Sequence, residues 1–229
     1  MPAAIYYKLN NPAWYALSEK HQHFAVGNEA IKRYSDTIAP FAACLSTKLV
    51  RPEQFDECIN CNESFFIIGE MPLLPANYSI ESKLLCLQMI AASVKTIPAT
   101  VKIERLSEAD DEQMITLVNV VFPGYYQPAT RLMGDYFGIR HNGELVAMAG
   151  ERMRMDGFTE ISAVVTHPDF TGRKYAQQLV SLIAGKNLES GIIPFLHAAE
   201  TNERAVKIYE HLGFVQRRII AVWKIKRVE

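Results

Sequence analysis

The stretch EISAVVTHPDFTGRKYAQQ, residues 160–178, decides the fold of this chain. It opens with an apolar run rich in β-branched residues, which predicts a β-strand ending near Thr166. Pro168 interrupts the strand, because proline has no backbone N–H to donate. From Tyr175 onward the apolar residues recur with the spacing of one helix face: Ala176, Leu179, Val180 and Ile183. The stretch therefore predicts a strand, a short basic turn and a helix.

The basic turn, residues 171–174, has the properties of an anion site. It places Arg173 and Lys174 beside the first backbone N–H groups of the helix, which have no intrahelical acceptor. Those N–H groups and the helix dipole attract negative charge, and a pyrophosphate suits such a place. The alternative is an ordinary strand-to-helix connection with two solvated charges.

A second segment, TNERAVKIYEHLGF at residues 201–214, follows the predicted helix. Together the two segments resemble the acyl-CoA-binding signature of the GNAT acyltransferase superfamily. In that family an Arg/Gln-x-x-Gly-x-Gly/Ala loop wraps the pyrophosphate of coenzyme A, and an Asn-x-x-Ala-x-x-x-Tyr-x-x-x-Gly-Phe segment lies downstream. The second segment matches at every position. In the loop, Thr171 takes the Arg/Gln position and Lys174 the first glycine position, so both depart from the pattern.

The resemblance covers about residues 100–229 and implies an α+β fold. The expected architecture is a central, mostly antiparallel mixed sheet with flanking helices, in the order β-α-α-β-β-β-α-β-α-β. Local signals agree with it: Ser107 begins a capping-box helix start, and Asn142-Gly143 is a favoured hairpin turn. We assign residues 97–229 to this domain. Residues 1–96 are expected to form a smaller α/β part. A degenerate copy of the same fold is one form that this part could take.

The resemblance also implies how acetyl-CoA would bind. The pantetheine arm would bond to the backbone of the strand that precedes the turn and to Asn202, and the pyrophosphate would contact the loop. The cofactor-binding residues implied are Ala163, Val164, Val165, Thr166, Thr171, Gly172, Arg173, Lys174, Tyr175, Ala176 and Asn202.

Three residues are candidates for the chemistry. Tyr209 matches the family's general acid toward the thiolate, although it shares a helix face with apolar residues and could be a core tyrosine. Glu160 lies where some members carry a general base, and Glu151 on the preceding strand competes with it. His167 and His197 are weaker candidates, and ordered water is the alternative to any side-chain base.

Composition and sequence pattern bear on possible partners, cellular location and metal binding. A net charge of −1 with no dense basic run predicts no nucleic-acid partner. No apolar run approaches the ~20 residues of a membrane span, and the first residues lack the pattern of a signal peptide, so we expect a cytoplasmic protein. Cys58 and Cys61 have metal-type spacing, but no second pair completes a zinc site, so we expect reduced thiols and no metal.

The sequence thus predicts an N-acetyltransferase that moves an acetyl or larger acyl group from acetyl-CoA to a primary amine. The acceptor, a small molecule or a peptide, is not readable, because acceptor pockets are built from variable loops. The alternative is a non-catalytic acyl-CoA-binding regulatory module, which the departures at Thr171 and Lys174 keep open. Chain length alone suggests a third possibility, aminoacyl transfer by a two-lobed relative.

Overall fold

The computed structural model describes residues 3–47 and 50–228 of the chain. They divide into two compact units. The first holds the residues before Leu87, except Thr37–Ala39, together with those after Arg218. The second holds Thr37–Ala39 and Leu87–Arg218. The predicted boundary between residues 96 and 97 lies inside the second unit, and the division into residues 1–96 and 97–229 stays a prediction.

The regular elements follow in chain order. The α-helices are α1 (Pro12–Ser18), α2 (Pro52–Asp56), α3 (Asp111–Val121), α4 (Tyr175–Glu189) and α5 (Glu203–Leu212). The strands are β1 (Ala25–Gly27), β2 (Ile31–Tyr34), β3 (Ala42–Cys44), β4 (Ser64–Ile68), β5 (Tyr78–Ile90), β6 (Glu104–Arg105), β7 (Tyr136–His141), β8 (Glu144–Met155), β9 (Phe158–Thr166), β10 (Ile193–Ala199) and β11 (Val215–Arg227).

The first unit combines short helices with two groups of strands. β1, β2 and β3 form an antiparallel sheet, and β4 pairs antiparallel with the far end of β11. α1 begins directly after Asn11, with Pro12 as its first residue. The Asn11 side chain donates to the Cys44 carbonyl at 2.8 Å instead of capping the helix.

The second unit has the predicted mixed sheet flanked by helices. Its strands lie in the order β5, β10, β9, β8, β7, β6. The pairs β6–β7, β7–β8 and β8–β9 are antiparallel, whereas β9 and β10 are parallel. The expected α+β class and element order are confirmed, with one difference: the second predicted helix is a 3-10 turn, Thr130–Met133.

Residues 160–178 form the strand, turn and helix that their sequence predicts. β9 leads through a 3-10 turn, Pro168–Phe170, into α4, which begins at Tyr175. α4 packs on the sheet by burying Leu179, Val180 and Ile183. Burying side chains of this size contributes about 1.5–3 kcal/mol each, so this face is enough to hold the helix in place.

Candidate functional site

A bulge in β9 opens the site. Ala149 of β8 stands opposite two residues of β9, because Met148 pairs with Val165 while Gly150 pairs with Ser162. Ala163, within the bulge, has φ +50°. That left-handed conformation costs a residue with a Cβ about 1–2 kcal/mol. A strained bulge of this kind bends the strand and re-aims its backbone.

The strands beside the bulge separate. The parallel pairing of β9 with β10 covers three residue pairs and ends at Glu160 and Phe195. Beyond that point β9 continues to Thr166 and β10 to Ala199. The backbone groups of residues 161–166 on this side of β9 are therefore available to an extended ligand that can supply amide donors and acceptors.

A basic cleft lies at the end of β9. It has a volume of about 690 Å³, and Thr166, the turn at residues 170–177 and the first residues of α5 line it. We call this space the basic cleft, because its lining includes Arg173, Lys174, Arg204 and Lys207 and a single acidic residue, Glu203. All five charged side chains are exposed.

The turn at the head of α4 is held in an unusual backbone conformation. Gly172 has φ +80° and Lys174, the residue before α4, has φ +62°. A glycine adopts these angles freely, whereas Lys174 does so under strain of about 1–2 kcal/mol. Arg173 lies 4.9 Å from the centre of the Phe170 ring, a cation–π contact that holds the guanidinium beside the cleft.

Two residues of the second signature segment, Asn202 and Tyr209, lie before the start of α5 and within it. The Asn202 side chain accepts a hydrogen bond from the Ala205 amide at 3.1 Å and so caps the helix. Tyr209 is buried, 8% exposed, with its ring edge-on to Phe214 at 6.1 Å. Burial raises the pKa of Tyr209 to about 12. Its hydroxyl therefore stays protonated near neutral pH.

Glu160 is fixed by two partners. Arg152 donates to both carboxylate oxygens, at 2.8 and 2.6 Å, and His197 Nδ1 lies 2.7 Å from Oε1. Burial alone would raise the pKa of Glu160, but the charge of Arg152 and the hydrogen bonds from His197 and Arg152 outweigh it and lower the pKa to about 2. Glu160 is thus an anion near neutral pH.

From His197, further hydrogen bonds extend across the sheet. Gln88 Nε2 lies 3.0 Å from His197 Nε2, and Arg217 donates to Gln88 Oε1 at 2.7 Å. Because arginine only donates, Gln88 presents its amide N–H to His197, which then carries its proton on Nδ1. We call these five residues the polar chain: Arg152, Glu160, His197, Gln88 and Arg217.

The polar chain lies on the face of the sheet opposite α4 and α5. Ile161, Leu196 and Met89, the sequence neighbours of its middle members, belong to the core cluster that contains Leu179 and Tyr209. Successive strand residues point to opposite faces, so Glu160, His197 and Gln88 point away from that cluster.

Glu151, the other predicted base, has a different environment. It is buried, and its oxygens accept hydrogen bonds from Asn187 at 2.8 Å, from the Asp135 amide at 3.0 Å and from Arg154 at 2.9 Å. These contacts tie β8 to α4 and to the loop before β7. The structure does not bring Glu151 into the polar chain.

The other predicted site residues divide between the cleft and the core. Thr166, Thr171 and Ala176 line the basic cleft, whereas Val165 and Tyr175 are buried, and Val164 packs partly buried against the core. His167 caps the 3-10 turn by accepting from the Asp169 amide at 3.3 Å.

Sequence reasoning missed Arg152, Gln88, Arg217 and the cleft-lining pair Arg204 and Lys207. A signal existed for part of the polar chain. Gln88 and His197 each interrupt an apolar strand, in LCLQMIA and PFLHAA. A polar residue at such a position is buried with a partner more often than it is left unpaired.

Two features are absent from residues 3–47 and 50–228. No three His, Cys, Asp or Glu side chains in these ranges come together as a metal-ion site. Within the same ranges, every helix is too short or too polar to cross a membrane.

Comparisons with known proteins bear on the fold. Residues 136–223 match the family model described as FR47-like protein. A protein from the GNAT family of Novosphingobium aromaticivorans is 27% identical over 96% of this chain and 99% of its own, with a TM-score of 0.85.

More distant structures share the fold. The GCN5-related N-acetyltransferase from Kribbella flavida is 17% identical, over 93% of this chain and 95% of its own, with a TM-score of 0.60. A GNAT-family acetyltransferase from Colwellia psychrerythraea is 14% identical, over 65% of this chain and 57% of its own, with a TM-score of 0.51. No curated protein sequence matches significantly.

Proposed function

Residues 136–223 form an FR47-like domain on the fold of the GNAT acetyltransferases, and from this premise we propose that the chain is an acetyl-CoA-dependent N-acyltransferase. It would act in the cytoplasm on a primary amine of a small molecule or peptide, through chemistry located in residues 97–229. The observation that carries the proposal is the open edge of β9 beyond Glu160, which leads directly into the basic cleft.

We assign the cofactor's parts along that path. The pantetheine arm would bond to the backbone of residues 163–166, where its amides replace the pairing that β10 no longer supplies. The pyrophosphate would lie at the head of α4 against Arg173 and Lys174, where unpaired amides and the helix dipole favour an anion. Asn202, at the start of α5, would contact the arm.

The chemistry forms a C–N bond and breaks a C–S bond. The amine attacks the thioester carbonyl and loses one proton, and the departing sulfur gains one. Tyr209 would donate to the sulfur and recover its proton from the nitrogen through water. With the pKa of Tyr209 at about 12, complete transfer to a thiolate of pKa about 8.5 is uphill by about 5 kcal/mol. Tyr209 would therefore act while charge develops on the sulfur and be reprotonated in the same step.

The polar chain would serve the acceptor on the opposite face of the sheet. Glu160, with its pKa lowered to about 2, is a poor proton acceptor, so we propose that it orients His197 beside the acceptor amine. Water would remove the amine's proton. Glu151 would support the loop before β7.

Thiol release from acetyl-CoA in the presence of a panel of primary amines tests the proposal, with mass spectrometry of the acetylated product. We expect release that depends on the amine and is much weaker in Tyr209→Phe. The alternative, a non-catalytic module, predicts acetyl-CoA binding with no amine in a broad panel raising release above hydrolysis. That result would contradict the enzymatic proposal.

A further inference from the structure

We propose that Arg204 and Lys207 form a second anion subsite in the basic cleft, which takes the 3′-phosphate of coenzyme A. This inference rests on the proposed function. It assigns to α5 a role in cofactor selection that is separate from the pyrophosphate contacts at the head of α4.

The two walls of the basic cleft carry separate pairs of cations. Arg173 and Lys174 precede α4, whereas Arg204 and Lys207 are on α5. Arg204 and Lys207 are three residues apart in a helix, so they share one face of α5. That face lines the basic cleft, because both residues are among its lining residues.

The charge in the cleft exceeds what one pyrophosphate requires. Four cations and one carboxylate line it, a net charge of +3 from these five residues. The pyrophosphate of coenzyme A is a diester with two negative charges, which the pair before α4 can balance. A phosphate monoester carries about −1.5 to −2 near pH 7. A cofactor with both groups therefore matches the two cation pairs better than one with the pyrophosphate alone.

The position of Arg204 and Lys207 near the start of α5 favours a phosphate as their partner over a carboxylate of the protein itself. Lys207 lies 3.6 Å from Glu203, but both side chains are about four-fifths exposed, at 76% and 81%, so this ion pair is weak and Lys207 can turn toward a ligand. The first half of α5 also presents the positive end of its dipole, which adds to the attraction of a compact dianion.

Equilibrium binding of coenzyme A and of 3′-dephospho-coenzyme A, measured by calorimetry, tests the subsite. For the intact protein we expect coenzyme A to bind about tenfold more tightly, in keeping with two charge-assisted contacts at an exposed site. In the double variant Arg204→Ala/Lys207→Ala the two dissociation constants should become equal within about twofold, while that of the dephospho compound stays near its original value.

The control is Arg173→Ala. It should weaken both ligands by similar factors and keep their ratio, because Arg173 is assigned to the pyrophosphate that both share. All substituted side chains are exposed, and unchanged melting temperatures would verify that the variants fold.

Four outcomes would overturn the inference. Equal binding of the two ligands by the intact protein, or two unchanged dissociation constants in the double variant, would remove the 3′-phosphate subsite and leave the proposed function standing. If neither ligand binds the intact protein, the proposed function fails and the subsite fails with it. Equal losses for both ligands in the double variant would assign Arg204 and Lys207 to the pyrophosphate instead.

Discussion

The Glu160 carboxylate lies 2.7 Å from His197 Nδ1 across the strands β9 and β10, at the point where the backbones of these strands stop pairing. The side chains thus connect the two strands where the main chain no longer does. Both side chains are almost fully buried, with 1% of Glu160 and 4% of His197 exposed. A buried carboxylate needs such partners, because an unpaired buried charge is strongly unfavourable.

The first prediction concerns the pH dependence of stability. The pKa of Glu160 is lowered from 4.5 to about 2 in the folded protein. Its contribution to the free energy of unfolding is therefore complete above about pH 4.5 and is lost as the pH falls toward 2. Glu160→Gln should be less stable at neutral pH by about 3–5 kcal/mol, because the buried ion pair with Arg152 loses its anion.

Urea unfolding from pH 7 to pH 2.5 measures this effect. The difference in free energy of unfolding between the intact protein and Glu160→Gln should shrink as the pH falls. Glu200→Gln, at an exposed position, is the matched control and should follow the intact protein throughout. A constant difference between Glu160→Gln and the intact protein would contradict the assigned ionisation.

The second prediction concerns Tyr209. Tyr209→Phe should lower turnover by about 10²–10⁴-fold, because loss of general acid help typically has this size. Acetyl-CoA affinity should change little, since the ring keeps its packing against Phe214. Turnover under conditions where chemistry limits the rate, the dissociation constant and the melting temperature separate the roles. Unchanged turnover with lowered stability would identify Tyr209 as a core residue only.

The third prediction concerns Lys174, which has left-handed backbone at φ +62°. Lys174→Gly removes strain of about 1–2 kcal/mol and adds about 0.4–1 kcal/mol of chain entropy to the unfolded state. The net result should be equal or slightly higher stability. At low salt, however, coenzyme A should bind more weakly, because a cation beside the phosphates is lost.

Lys174→Asn is the control for the backbone, since asparagine tolerates the left-handed region without a charge. Both variants should lose affinity at low salt, and both losses should shrink near 1 M salt, where the screening length falls to about 3 Å. Unchanged or tighter binding by Lys174→Gly at low salt would show that the lysine does not contact the phosphates.

The fourth prediction concerns the bulge at Ala163. Ala163→Gly should keep or slightly raise stability, because relief of about 1–2 kcal/mol of strain exceeds the entropy that glycine adds to the unfolded chain. Ala163→Val should lower both stability and coenzyme A affinity, since a β-branched residue disfavours φ +50°. Melting temperature and calorimetric binding measure the two effects. Normal cofactor binding by a folded Ala163→Val protein would show that the bulge is not needed for the site.

Much of the second unit follows from local sequence patterns. Asn142 and Gly143 have φ +52° and +86°, as the predicted hairpin turn requires. Ser107 and Asp110 form the expected capping box, and α4 begins at the predicted Tyr175. These features depend on residues close together in the chain, which is why a pattern can reveal them.

The site was less predictable, because its members come from distant parts of the chain. Glu151 and Glu160 look alike in sequence, as single carboxylates on neighbouring strands. The structure separates them: Glu160 contacts His197, while Glu151 contacts Asn187 on α4. Their different roles come from partners 36 or 37 positions away in the chain.

The sequence by itself determined the strand–turn–helix signature, the second segment with Asn202 and Tyr209, and the α+β class, because periodicity, turn chemistry and motif spacing are local properties. Only the tertiary structure decided that β9 parts from β10 after Glu160, that Ala163 forms the bulge, and that Arg204 and Lys207 line the same cleft as Arg173 and Lys174. Strand register and the meeting of two helices depend on packing across the whole sheet, and no single segment of sequence encodes that packing.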